Sequence, residues 1–338
     1  MSTLAPRMSR VAPLMARLGR ATPRMATPYN LATREAVLAA CRQPTQEKTR
    51  RSFHNTTARH AKSGLDPIRD SPSGLLPEFS LKNKIIIVSG GAQGLGLVQA
   101  EALLEAGAKV HVYDRQPEPG SGTNYERVAR RAKEVLGTSM TYHQIDVLDG
   151  AHKLKDITAQ IVEQDGQIDG LIAAAGIQQE TPALDYTAED ANRMLGVNVT
   201  GVLMTAQAVA KHMYENDTPG SIVLIASMSG TVANRGLICP VYNASKAAVI
   251  QLARNLASEW GIKNIRVNTI SPGYIVTEMV QKLFERFPDR QVEWPKQNML
   301  NKLSKPEDYR GAAVFLLSDA SRFMTGADLR IDGGHAAW

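Results

Sequence analysis

The chain has 338 residues and a net charge of +6, from 39 Lys and Arg against 33 Asp and Glu. No apolar run reaches the ~18 residues that a membrane helix requires. The seven histidines are scattered without a His-x-x-x-His pair and no Cys-x-x-Cys occurs, so no metal is expected.

The charge is unevenly placed. Residues 1–60 contain eleven basic side chains and two acids, Glu35 and Glu47, and the first 34 residues contain no acid at all. That stretch is rich in Arg, Ala, Ser, Thr and Met, the composition of a mitochondrial transit peptide. Arg51-Ser-Phe-His-Asn-Thr56 reads as a processing site, with a final cut expected near His60–Ala61. The competing reading is a disordered basic arm for nucleic acid or anionic lipid. Removing eleven bases and two acids leaves 28 against 31, a net charge of −3. The basic character therefore belongs to the leader, and no nucleic-acid footprint remains beyond it. Cys41 also lies in the leader, so the remaining chain keeps Cys239 alone and forms no internal disulfide. A soluble product in the mitochondrial matrix is expected, with a small-molecule substrate and neither nucleic acid nor membrane as partner. Residues 61–80, with Pro67, Pro72 and Pro77 among them, read as an irregular lead-in.

From residue 81 to 338 strands and helices alternate. Strands are predicted near 84–89, 109–113, 141–145, 170–174, 221–225, 265–270 and 328–331. Helices are predicted near 95–106, 124–136, 151–164, 188–214, 241–260 and 305–317. Such alternation implies an α/β fold, a doubly wound parallel sheet of Rossmann type in a single domain.

The first unit carries the first chemistry. Ile85-Ile-Ile-Val88 is a β-branched run, followed at once by Ser89-Gly-Gly-Ala-Gln-Gly-Leu-Gly96 and a helical stretch. Strand, glycine-rich turn and helix in that order form a pyrophosphate cradle. Gly90 allows the sharp turn, Gly94 the approach of backbone to phosphate, and Gly96 close helix packing; Gln93 and Leu95 lie between them. The spacing G-x-x-x-G-x-G differs from the commoner G-x-G-x-x-G. Asp114 ends the second strand 24 residues beyond Gly90, where a carboxylate hydrogen-bonds ribose hydroxyls. It repels a 2′-phosphate and so favours NAD, while the adjacent Arg115 keeps NADP open.

Tyr242 and Lys246 stand four apart in Val241-Tyr-Asn-Ala-Ser-Lys-Ala-Ala-Val249, which puts both on one helix face. The ammonium favours the phenolate, so a phenol of ordinary pKa about 10 is expected to exchange a proton near neutrality.

These residues and their order resemble the short-chain dehydrogenase/reductase family over the last three quarters of the chain. The matching motifs are the glycine turn, Asp146-Val147, Ala173-Ala-Ala-Gly176, Asn198, Ser227, Tyr242-x-x-x-Lys246 and Pro272-Gly-Tyr-Ile-Val-Thr277. Within it the chain resembles the fungal polyol branch of D-arabinitol 2-dehydrogenases, mannitol dehydrogenases and sorbose or xylulose reductases. The resemblance implies an NAD(P)-dependent enzyme interconverting a secondary alcohol and a ketone, most closely a polyol and a ketose. It assigns Tyr242 as acid/base and Lys246 to the nicotinamide ribose and to lowering the phenol's pKa. Ser227 falls to the substrate oxygen, and Asn198 to a water joining Lys246 to solvent. It places Asp146 and Val147 beside the adenine, Ala174 and Gly176 along the cofactor by their backbone, and Ile275 and Thr277 at the carboxamide. Residues 277–302 become a substrate lid, and a homotetramer is implied. Ser89 stands where the family has Thr, and Ala173-Ala174-Ala175 replaces a pattern with side-chain amides. Two alternatives remain: a 3-oxoacyl thioester reductase or hydroxyacyl dehydrogenase, with Lys282, Arg286 and Arg290 as a basic patch, and a non-catalytic scaffold subunit.

Overall fold

Ile85–Ser89 forms β1 with every side chain buried, as a strand covered on both faces requires. The computed structural model describes residues 76–338; the leader and residues 61–75 of the lead-in lie outside the described residues. Of the lead-in, Pro77–Phe79 makes one 3-10 turn. The other strands are β2 (Lys109–Asp114), β3 (Met140–Gln144), β4 (Gly170–Ala173), β5 (Gly220–Ile225), β6 (Ile265–Pro272) and β7 (Asp328–Ile331). They join in one sheet of order β3-β2-β1-β4-β5-β6-β7, and every pairing is parallel. The order reverses between β1 and β4, which opens a crevice at their carboxyl ends.

The two-residue alternation of β1 divides the core. Ile85 and Ile87 enter the cluster with Leu154 and Ile161 of α3 (Ala151–Asp165), Val209 of α5 (Val202–Glu215) and Val249 of α6 (Pro240–Trp260). Ile86 and Val88 face the other way, toward Leu97 and Leu103 of α1 (Gly94–Glu105), Val128 of α2 (Asn124–Glu134) and Leu316 of α9 (Arg310–Leu317). Each fully buried Ile or Leu contributes about 1.5–3 kcal/mol of transfer free energy. A one-residue slip in β1 would send each of these side chains to the wrong layer.

Two expectations are corrected. The helix predicted over 188–214 is α4 (Ala188–Leu195) and α5 with a π-helical turn, Gly196–Gly201, between them. The wider turn admits one extra residue, and such turns concentrate at functional positions. The lid stretch, for which the sequence predicts no helix, contains two, α7 (Glu278–Arg286) and α8 (Pro288–Glu293). Thr277 caps α7, its hydroxyl accepting from the Val280 N–H at 3.3 Å, and Pro288 starts α8 at a position where its missing N–H costs nothing.

A polar knot lies under the β2–β3 edge. His111, fully buried, shares a hydrogen bond with His143 (2.9 Å) and another with Asp165 (2.7 Å), and Lys109 Nζ meets Asp165 at 2.5 Å. Among the described residues no helix is long and apolar enough to cross a membrane.

Candidate active site

The carboxyl ends of the strands gather the residues singled out in the sequence. The Gly90 N–H donates to the Tyr113 carbonyl at 2.7 Å, and the Ala174 N–H to the Ser89 carbonyl at 3.1 Å. The glycine turn is thereby fixed between the ends of β2 and β4. The Ser89 hydroxyl accepts from the Ala175 N–H at 3.4 Å, so this hydroxyl braces the turn against Ala173-Ala174-Ala175.

The three glycines differ in what surrounds them. Gly90 has φ +68°, and a Cβ there would stand 2.8 Å from the Ala175 backbone. A Cβ on Gly96 would lie 2.2 Å from the Gly90 carbonyl oxygen, so helix and turn touch backbone to backbone. Gly94 has φ +56° and open space where a Cβ would be. Gln93, the N-cap residue of α1, makes no side-chain capping bond, and Gln93 and Gly94 are exposed beside the half-buried Leu95. A helix start with uncapped N–H groups and an open glycine as its first residue fits a pyrophosphate. The residues present therefore fit a dinucleotide.

Asp114 lies beside this cradle. One carboxylate oxygen accepts from the Ala92 N–H at 3.2 Å, and the other from the Gln116 N–H at 3.4 Å. Asp146 follows β3, where its carboxylate accepts from the Leu148 N–H at 2.9 Å. Val147 packs on the π turn: a Cβ at Gly201 would be 2.7 Å from Val147 Cγ2. Ile275 bridges to Ser304 and packs against the α1 face of the core. Thr277 spends its hydroxyl on the α7 cap.

At the end of β5, Ser227 is buried and its hydroxyl accepts from the Ser229 N–H at 3.1 Å. Lys246, 5% exposed, donates to the Ile225 carbonyl at 2.8 Å, and its Nζ lies 5.6 Å from the Tyr242 ring centroid. A Cβ on Gly176 would stand 3.4 Å from Asn198 Oδ1 and 3.6 Å from Lys246 Nζ. Asn198, Lys246 and Gly176 thus share one spot, next to Tyr242 and beyond the glycine turn. Gly230, which no sequence motif singles out, is required where it stands, since a Cβ would meet the Lys246 carbonyl carbon at 2.7 Å.

The surroundings of two of these residues define them further. Asn198 is fully buried and its amide is hydrogen-bonded through both oxygen and nitrogen. Oδ1 accepts from the Ile177 N–H at 2.8 Å, while Nδ2 donates to the Ile177 carbonyl at 2.9 Å and to Ser245 Oγ at 3.0 Å. Ser245 in turn donates to the Tyr242 carbonyl at 2.7 Å. The Asn198 side chain is therefore a clamp joining the β4 exit to α6. Ser245 sits inside the Tyr-x-x-x-Lys stretch, but nothing in the spacing marks it as the link.

The acidity of Tyr242 is also shaped by burial. Burial pushes the phenol up to about 12, the nearby Ser227 hydroxyl acting in the opposite direction. Burial also lowers Lys246 to about 8. Desolvation outweighs the ammonium because Lys246 hydrogen-bonds a carbonyl, not the phenol. Burial thus favours the neutral phenol, the form that donates in reduction.

A family model described as enoyl-(acyl carrier protein) reductase matches residues 90–336. A short chain dehydrogenases/reductase of Aspergillus versicolor is 39% identical over 264 residues, spanning 77% of this chain and 89% of that protein. The ribulose-forming D-arabinitol 2-dehydrogenase of Candida albicans is 35% identical over 289 residues, spanning 81% of this chain and 100% of that protein. Among solved structures, a short-chain type dehydrogenase/reductase from Mycobacterium marinum superposes with a TM-score of 0.71 at 34% identity, covering 77% of this chain and 98% of that one.

Proposed function

The chain belongs to the short-chain dehydrogenase/reductase family and is an NAD(P)-dependent oxidoreductase, and we propose that it interconverts a polyol and its ketose, using NAD. The observation that carries the proposal is the placing of Ser227, Tyr242 and Lys246 together at the open end of β5, beside Gly176 and within the crevice of the glycine turn. Likeness to D-arabinitol 2-dehydrogenase supports a substrate of the arabinitol and ribulose type. Asp114 at the cradle supports NAD over NADP, since its carboxylate opposes a 2′-phosphate.

The nicotinamide, when bound, supplies or accepts the hydride at the substrate carbon. In reduction Tyr242 donates its phenolic proton to the carbonyl oxygen, and Lys246 favours the phenolate left behind. Ser227 donates a hydrogen bond to the same oxygen as charge gathers on it. In oxidation the phenolate takes the proton of the alcohol. Asn198 keeps α6 in register with the β4 exit, so that Tyr242 and Lys246 face the crevice.

The thioester alternative has less support. Of the basic patch it requires, Arg290 is engaged by both oxygens of Glu180, at 2.6 and 2.7 Å. Lys282 and Arg286 remain, exposed on α7. Residues 1–60 are proposed as a matrix import signal, from their Arg-rich, acid-poor composition, and a homotetramer is proposed from the family resemblance. A spectrophotometric screen of polyols and ketoses with NAD and NADP tests the substrate. Turnover of D-arabinitol with NAD is expected, and greater activity on acetoacetyl thioesters than on any polyol refutes the reading.

A further inference from the structure

After β6 the chain leaves the body of the fold and returns at Ser304, and the two ends of this excursion are pinned together. The Val276 N–H donates to the Ser304 carbonyl at 2.8 Å, and the Ser304 hydroxyl to the Tyr274 carbonyl at 2.8 Å. The far end is held differently. Arg290 of α8 sets its two terminal nitrogens on the two oxygens of Glu180, which lies 110 residues away between β4 and α4. Next to Glu180, the Thr181 N–H donates to the Ile238 carbonyl at 3.1 Å, tying that segment to the stretch that leads into α6 and Tyr242.

The pair is built into its surroundings. The Arg290 guanidinium lies over the rings of Phe287 (4.5 Å) and Trp294 (5.5 Å). Trp294 stacks on Tyr274 at 4.3 Å between ring centroids, and both belong with Tyr242 to one apolar cluster. Among the described residues Arg290–Glu180 is the only ion pair joining α7 and α8 to residues outside 277–302. Gln297 adds one hydrogen bond to the Arg235 carbonyl at 3.2 Å.

We propose that Arg290 and Glu180 are positioning residues whose two-pronged pair latches α7 and α8 over Tyr242 and sets how firmly substrate is retained beneath them. The inference rests on Tyr242 being the proton donor of the reaction. A partly solvated bidentate pair biases a lid toward closure and still lets it open. Breaking it lowers the closed fraction, so it weakens substrate binding and leaves proton transfer in the closed state alone.

The test uses the full chain with Arg290→Gln, Glu180→Gln and the two together, D-arabinitol and NAD being the probes. Each single variant is expected to raise KM for D-arabinitol about fivefold with kcat changed less than about twofold. Nucleotide affinity stays as in the unmodified protein. Hydrogen–deuterium exchange quickens in residues 278–293 and not in α9. The double variant matches either single one, because the same interaction is lost in all three. Losses that add in the double variant, or exchange in 278–293 unchanged in both single variants, overturn the latch. Absence of polyol turnover by the unmodified protein would sink the substrate reading alone, and the exchange measurement then decides the latch by itself.

Discussion

Lys246 Nζ stands 5.6 Å from the centroid of the Tyr242 ring while donating its hydrogen bond to the Ile225 carbonyl. The ammonium therefore acts on the phenol through space, in a pocket that disfavours both charges. Lys246 is lowered to about 8 and Tyr242 raised to about 12. Below about pH 8 the lysine is charged and favours the phenolate that forms as the proton leaves; above it the charge is lost. Ketone reduction should hold its kcat/KM up to about pH 8 and decline beyond, while the phenol itself is still protonated. Lys246→Met should remove that decline along with most of the rate, about 100-fold or more. A pH profile of kcat/KM checks this, and a profile unchanged in shape by Lys246→Met refutes it.

Gly94 and Gly96 are two residues apart in one motif yet predict opposite outcomes. Alanine at Gly96 drives a methyl into the Gly90 carbonyl, 2.2 Å away, in a place where only backbone is available to yield. A loss of stability of about 3 kcal/mol is expected, read as a fall in the thermal midpoint. Alanine at Gly94 meets nothing and suffers only its positive φ, +56°, at about 1–2 kcal/mol. Its methyl points into the cradle, so nucleotide affinity should fall at least about tenfold, beyond the change in stability. Equal thermal losses with nucleotide binding retained in Gly94→Ala would show that the cradle lies elsewhere.

How much of this was legible beforehand depends on how local each feature is. The strand over Ile85-Ile-Ile-Val88, the turn after it and the Tyr242–Lys246 spacing are set by neighbours in the chain, and all three appear where expected. The π turn at Gly196–Gly201 was invisible. It depends on Val147 closing against Gly201 and on Asn198 reaching Ile177, contacts made only in the folded chain. The two lid helices are short and hold their place through Trp294, Tyr274 and Arg290, so periodicity alone could not define them. For Tyr242 the spacing gives the distance to the lysine, while the effect of burial on the phenol is set by the folded chain.

Asp114 connects fold and cofactor choice, because one of its oxygens also holds the Ala92 N–H at 3.2 Å. Removing the whole side chain would disturb the turn as well as the charge. Asp114→Asn keeps an acceptor for Ala92 and removes only the repulsion of a 2′-phosphate. The ratio of NADP to NAD affinity should rise about tenfold, as for the loss of one charged hydrogen bond and one repulsion. Fluorescence titration with NADH and NADPH measures it, and an unchanged ratio means that Asp114 does not face the ribose.

The knot of His111, His143, Asp165 and Lys109 sets the acid limit of the fold. Burial lowers His143 to about 4, and His111 moves in the same direction despite its bond to Asp165. Each ring is ordinarily protonated near pH 6.5 once unfolded, so below that pH the unfolded chain binds more protons than the folded one. The stability held above about pH 6.5 is therefore lost as pH falls toward about 4. Allowing for the half-buried His143 ring, the loss is about 2 kcal/mol. The only partner His143 offers His111 is its Nε2, at 2.9 Å. His143→Gln keeps a group able to hydrogen-bond His111 without titrating, and so should flatten this acid limb. Urea midpoints at pH 7 and at pH 5 measure the slope. A variant as acid-sensitive as the unmodified chain would place the limiting proton on another group, and Asp165 is the next to examine, since its carboxyl is held low by Lys109 and His111.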